Sequence, residues 1–246
     1  MKVAILADSL ALPRPPEAGN ILFEQTYPYL VDEMLRAAFP QIMPVVIERG
    51  QRFRTIGRVL EDWTECVDYR NPDFVVVHVG IVDCAPRVFS PGQRYFVERF
   101  LPGFLRNTLL TFVHEYRYRL IRKRQNVVYT PLDEFAKGVS EVVIRSVKTK
   151  VRRLFLVNIL TPSDDLEARS PGYKEKVHCY NDILRNIALA SGHVELIDFN
   201  GMIRIHGGTA ALTVDGMHPK YEGNQLLARA LVARICEIMK EPLSGG

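Results

Sequence analysis

The sequence predicts an α/β protein built on a parallel sheet with helices covering both faces. Two observations carry this. Short apolar runs rich in β-branched residues recur along the 246-residue chain, and each is continuous rather than alternating, the pattern of a strand buried on both sides. Helical periodicity fills the intervals between them, and strand–helix alternation of this kind builds a doubly wound sheet whose ligands sit at the carboxyl ends of the strands.

In chain order, the strands read as residues 2–7, 43–47, 74–79, 154–157 and, after Gly192, 194–197. Helices fit 23–38, 55–69, 172–190 and 221–239. The last carries Leu226, Leu227, Ala230, Leu231, Ile235 and Ile238 as an apolar stripe. One interval, 83–151, is too long for a simple crossover and has room for two helices and a loop. Within it Leu105, Leu109, Phe112, Val113, Tyr116 and Leu120 keep an apolar face, with arginines on the other side. There is no repeat and no dividing linker. The expectation is one domain, 1–246, with a helical basic elaboration at about 84–150.

Composition excludes several classes. Apolar residues make up 47% and charged residues 24%, globular proportions that rule out disordered and collagenous chains. Cys66, Cys84, Cys179 and Cys236 stand singly without zinc spacing, as reduced thiols of a reducing compartment do. Asp8 and the prolines at 13, 15 and 16 interrupt what a secretory leader requires, and no apolar run reaches the ~20 residues of a membrane span. A cytoplasmic protein is expected. The net charge of +4 is unevenly spread: residues 101–125 alone net +5, leaving about −1 for the rest.

Three segments fall where a strand hands over to a loop or a helix begins. Ala7-Asp8-Ser9-Leu10 follows the first strand; there a serine serves as a turn or cap residue, or projects a hydroxyl at the sheet edge. His78-Val79-Gly80-Ile81-Val82-Asp83 follows the third, with Arg87 close behind. Asp215-Gly216-Met217-His218-Pro219 precedes the last helix. An Asx turn with a helix-starting proline accounts for Asp215 and Pro219 but leaves the imidazole unexplained. A carboxylate three residues before a histidine can hold one ring nitrogen while the other faces a hydroxyl. Arg49-Gly50-Gln51-Arg52, after the second strand, offers a glycine N–H to the same cleft.

Together these segments resemble the SGNH (GDSL-type) hydrolase family. Ala7-Asp8-Ser9-Leu10 is similar to its Gly-Asp-Ser-Leu block, and Asp215-Gly216-Met217-His218-Pro219, with Gly223 beyond, to its Asp-x-x-His block. The resemblance implies a flavodoxin-like three-layer α/β/α fold with a five-stranded, mostly parallel sheet. It also implies Ser9 as nucleophile, His218 as general base, Asp215 as its orienting carboxylate, and the Ser9 and Gly50 amides as oxyanion donors. Asp8, Arg52, Asp83 and Arg87 are candidates for substrate contact. The family's Gly-x-Asn-Asp block departs here to Gly80-Ile81-Val82-Asp83, so the position of the asparagine donor holds Val82. A lost donor costs roughly 2.7–4 kcal/mol of transition-state stabilisation. Arg52, Arg87 or a rearranged backbone amide are the candidate replacements.

The expected function is a serine esterase forming an acyl-enzyme on an O-acyl carbohydrate or small acyl ester, needing no cofactor. An acyltransferase using the same residues and an inactive binding module are the alternatives. The basic segment suits either a solvated face or recruitment of an anionic substrate; membrane-surface attachment through Phe112, Tyr116 and Tyr118 stays open. No stacking-aromatic motif accompanies the charge, which argues against nucleic acid. His114, His178, His193 and His206 lack metal spacing, and His78 and Cys84 read as core residues. Oligomeric state has no signal in the sequence.

Overall fold

A computed structural model describes residues 1–124 and 127–240. The strands are β1 (Lys2–Ala7), β2 (Val45–Gly50), β3 (Phe74–His78), β4 (Arg153–Val157) and β5 (Val194–Ile197). They pair in the order β2-β1-β3-β4-β5, parallel at every step. Residues alternate between two apolar layers, as the period-2 side-chain geometry of strands dictates. Ala4, Leu6, Val75, Val77, Leu154 and Leu156 face one core, and Val3, Ile5, Phe74, Val76, Phe155 and Val157 face the other. This is why the strand sequences read as unbroken apolar runs.

The helices are α1 (Tyr27–Ala38), α2 (Ile56–Glu61), α3 (Ile81–Cys84), α4 (Pro91–Phe100), α5 (Gly103–Glu115) and α6 (Arg117–Lys123). Then come α7 (Leu132–Lys148), α8 (Asp164–Arg169), α9 (Tyr173–Ala190), α10 (Phe199–Ile205), α11 (Gly208–Leu212) and α12 (Tyr221–Lys240). Leu30 and Leu35 of α1 and Leu227 and Leu231 of α12 fill one core; Val59 of α2, Phe135 and Val139 of α7, and Tyr180 and Leu184 of α9 fill the other. The result is three layers, α/β/α.

Three boundaries differ from expectation. The second strand begins at Val45 rather than 43, because Met43 has a left-handed φ of 44° and Pro44 follows; it then runs on through polar Glu48 and Arg49 to Gly50. As an edge strand β2 has exposed positions that admit those side chains. The helix expected over 55–69 is α2 followed by a separate π turn, Thr64–Asp68. The interval 83–151 holds four helices, α4 to α7, rather than two. Of these, α7 is the crossover on the sheet, burying Phe135, Val139 and Val142. The excursion proper is α4–α6, and the basic helix expected at 105–124 breaks at Tyr116. Its anticipated apolar face is only partly covered: α5 buries no residue fully, and Leu109, Val113 and Leu120 are half-buried.

Among the described residues no helix is long and apolar enough to cross a membrane.

Candidate active site

Ser9 stands at the carboxyl end of β1, where the chain leaves the sheet. The Asp8 amide donates to the His78 carbonyl (3.1 Å), tying the end of β1 to that of β3. The Asp8 carboxylate accepts from the Leu10 amide (2.9 Å) and caps a 3-10 turn, Ser9–Ala11. Ser9 therefore opens a helical turn, where an N–H has no partner within the turn.

The Ser9 hydroxyl faces His218, with Oγ 3.1 Å from Nε2. Nδ1 of the same ring lies 2.8 Å from Asp215 Oδ2 and 3.1 Å from Oδ1. A proton on Nδ1 donates to the carboxylate and leaves Nε2 to accept from the serine, so one tautomer satisfies both contacts. The turn that holds this geometry is closed locally: the His218 amide donates to Asp215 Oδ1 (2.9 Å), and the Val214 amide to the His218 carbonyl (2.9 Å). Gly216 has φ +87°, and a Cβ there would lie 2.2 Å from Ser163 Oγ, so glycine alone fits.

Partial burial works against ionisation of Asp215. The hydrogen bonds from His218 and the nearby Arg14 guanidinium outweigh it and hold the carboxyl at about 2. Arg14, in a proline-rich loop, places Nη2 3.2 Å from Asp215 Oδ2. No spacing rule in the sequence marks it.

Ser9 and His218 open onto a cavity of about 770 Å³ whose wall also includes Val82, Arg52, Arg87 and Arg117. A second cavity of about 730 Å³ shares Arg87 but touches neither Ser9 nor His218. Among the described residues no group of three His, Cys, Asp or Glu side chains is placed to hold a metal ion.

No model of a known protein family matches the chain, and no curated protein matches it in sequence. Solved structures do match. A lipase/acylhydrolase from Enterococcus faecalis superposes with TM-score 0.66 at 16% identity, over 95% of this chain and 94% of its own. A catalytic mutant of an acetylxylan esterase from Geobacillus stearothermophilus gives 0.63 at 20%, over 95% and 93%. An α/β hydrolase from the metagenome of Lake Arreo, Spain, gives 0.64 at 22%, over 94% and 93%. This is the SGNH hydrolase fold.

Three residues matched to the SGNH blocks, Gly50, Asp8 and Asp83, stand differently from expectation. The Gly50 amide donates to the Glu48 carboxylate two residues back on β2, and Gly50 is not on the cavity wall. Its N–H is therefore spent inside the protein instead of facing Ser9. Asp8 and Asp83 are completely buried and cannot touch a ligand. Asp8 is pushed up to about 8 by that burial, against the Leu10 hydrogen bond and helped by Asp83. Asp83 accepts from the Ile56 amide (3.0 Å) and the Thr130 hydroxyl (2.6 Å), pinning α2 and the 129–130 loop to α3. Burial raises it to about 6 despite those bonds. Val82 lines the cavity with a side chain that donates nothing.

Arg52 and Arg87 line the cavity onto which Ser9 and His218 open. His78 is buried, meets Tyr27 Oη (3.3 Å), and is lowered to about 3 by desolvation, a neutral core histidine below the site. Burial pushes the Cys84 thiol up, away from the thiolate a nucleophile needs.

Proposed function

We propose that the protein is a serine esterase. Ser9 Oγ attacks the ester carbonyl carbon while His218 Nε2 takes its proton, and Asp215 stabilises the resulting imidazolium. The tetrahedral intermediate collapses with proton transfer from His218 to the leaving alcohol, giving an acyl-Ser9 ester. Water, activated by the same imidazole, then releases the acid. The observation that carries this reading is the continuous Ser9–His218–Asp215 hydrogen-bond chain ending in an open cavity. That connection also argues against an inactive binding module, which has no use for an imidazole held between a carboxylate and a hydroxyl.

The oxyanion is held by the Ser9 amide, with the positive charge of Arg52 on the cavity wall in support, and the place of the missing asparagine donor is left unfilled. The solved neighbours include an acetylxylan esterase and a lipase/acylhydrolase, which supports an O-acyl carbohydrate or small acyl ester as substrate. A first experiment is steady-state hydrolysis of 4-nitrophenyl acetate by the wild-type protein and by Ser9→Ala. Turnover lost in the variant supports the reading; equal background rates in both would reject it.

A further inference from the structure

We propose that the cavity beside Ser9 selects esters bearing an anionic oxygen group, a carboxylate or a phosphate, and that Arg87, Arg117 and Arg169 hold that group. This rests on the esterase reading and names the substrate class for the same site.

Three separate segments bring these guanidiniums to one cavity. Arg87 follows α3, Arg117 begins α6 and Arg169 ends α8, and all three line the space that Ser9 and His218 open onto. None of them forms an ion pair with a carboxylate among the described residues; their hydrogen-bond partners are neutral, and Arg87 alone feels a nearby carboxyl, that of buried Asp83. Arg117 donates to the Ser170 hydroxyl (2.9 Å) and the Pro86 carbonyl (3.0 Å). Arg169 reaches only the Asp165 carbonyl, at 3.4 Å. Arg87 lies over the Tyr129 ring, 4.7 Å from its centroid, and its buried Nε has no hydrogen-bond partner.

Two other sheltered arginines meet carboxylates: Arg54 meets Asp62, and Arg14, on the same cavity wall, meets Asp215. Around Arg117 the balance is reversed. Burial, then Arg87, then Arg169 all push its guanidinium pKa down, with Tyr173 opposing. Like charges gathered at partial burial without a counter-ion are costly. An incoming carboxylate or phosphate removes that cost and can be gripped bidentately by planar guanidiniums. Glu115 is the single carboxylate on the cavity wall; it is exposed, at the end of α5. The excursion α4–α6 thus acquires a purpose: its α5–α6 corner builds the charged wall opposite Ser9.

The test compares 4-nitrophenyl hydrogen succinate with 4-nitrophenyl butyrate, esters of equal chain length with and without a terminal carboxylate. The expected kcat/KM ratio favours the anionic ester by about tenfold or more, and falls as salt screens the site. In Arg169→Gln, whose side chain is exposed, the preference shrinks severalfold, and in Arg117→Gln/Arg169→Gln it approaches unity. Competition by free succinate or inorganic phosphate against the neutral ester tells which group fits better. A ratio at or below unity, or one unchanged by both variants, overturns the proposal. If neither ester is turned over, the esterase reading fails instead. Calorimetric binding of the intact anionic and neutral esters to Ser9→Ala then decides the anion site alone, equal affinities rejecting it.

Discussion

Arg14 Nη2 lies 3.2 Å from Asp215 Oδ2, the same carboxylate oxygen that stands 2.8 Å from His218 Nδ1. One oxygen thus serves two cations when His218 is protonated. The pair with Arg14 is partly exposed, so its direct contribution is screened.

A graded series follows. His218→Ala is expected to lower kcat/KM on 4-nitrophenyl acetate by more than about a thousandfold, as loss of the base in a Ser–His–Asp site does. Arg14→Ala, a positioning change, should cost less than about fivefold, the worth of an exposed ion pair. A thousandfold loss in Arg14→Ala, in a protein with unchanged circular dichroism, contradicts that assignment.

Val82 occupies a cavity-wall position where an amide side chain has a use. Val82→Asn should raise kcat by about tenfold or more by supplying a hydrogen-bond donor to the oxyanion. It should also lower stability by about 1–3 kcal/mol, since the site is apolar and the free enzyme leaves the amide without a partner. A kcat that stays flat or falls in a folded variant means that Arg52 already occupies the place of the donor.

Asp8 supplies a pH test of the buried shelf under Ser9. Its folded pKa of about 8 lies above the ordinary aspartate value of 3.8, so the folded state binds the extra proton between these values. Stability from this group therefore falls as pH rises from about 4 to 8. Asp8→Asn keeps an acceptor for the Leu10 amide and removes the titration. Its Tm, matched to wild type near pH 4, should exceed wild type by a margin that grows up to about pH 8 and levels off above it. A margin independent of pH rejects the assignment.

The order of the elements was legible in the sequence because the central strands are buried on both faces, and Val3 to Ala7 or Phe74 to Val77 leave no ambiguity. Asp215 and His218 stood out because an imidazole three residues after a carboxylate has a use that a turn does not require, whereas Ser9, by itself a turn or cap residue, stood out only through the resemblance of its block. Gly50 was not, since the competitor for its amide is the Glu48 side chain, and a motif says nothing of side-chain reach. Asp8 and Asp83 read as candidates for substrate contact; only the folded backbone reveals that both point inward to amides and, for Asp83, to the Thr130 hydroxyl. Arg14 came from a proline-rich loop with no periodicity, and the break at Tyr116 interrupts a pattern that propensity alone would continue.

The most direct measurement is the intact mass of the protein after exposure to a fluorophosphonate, beside a Ser9→Ala control. The account predicts a single adduct on the wild-type chain, absent in the control, because only a serine activated by an imidazole displaces the fluoride. No adduct on a folded wild-type protein, or an adduct that persists in Ser9→Ala, would contradict it.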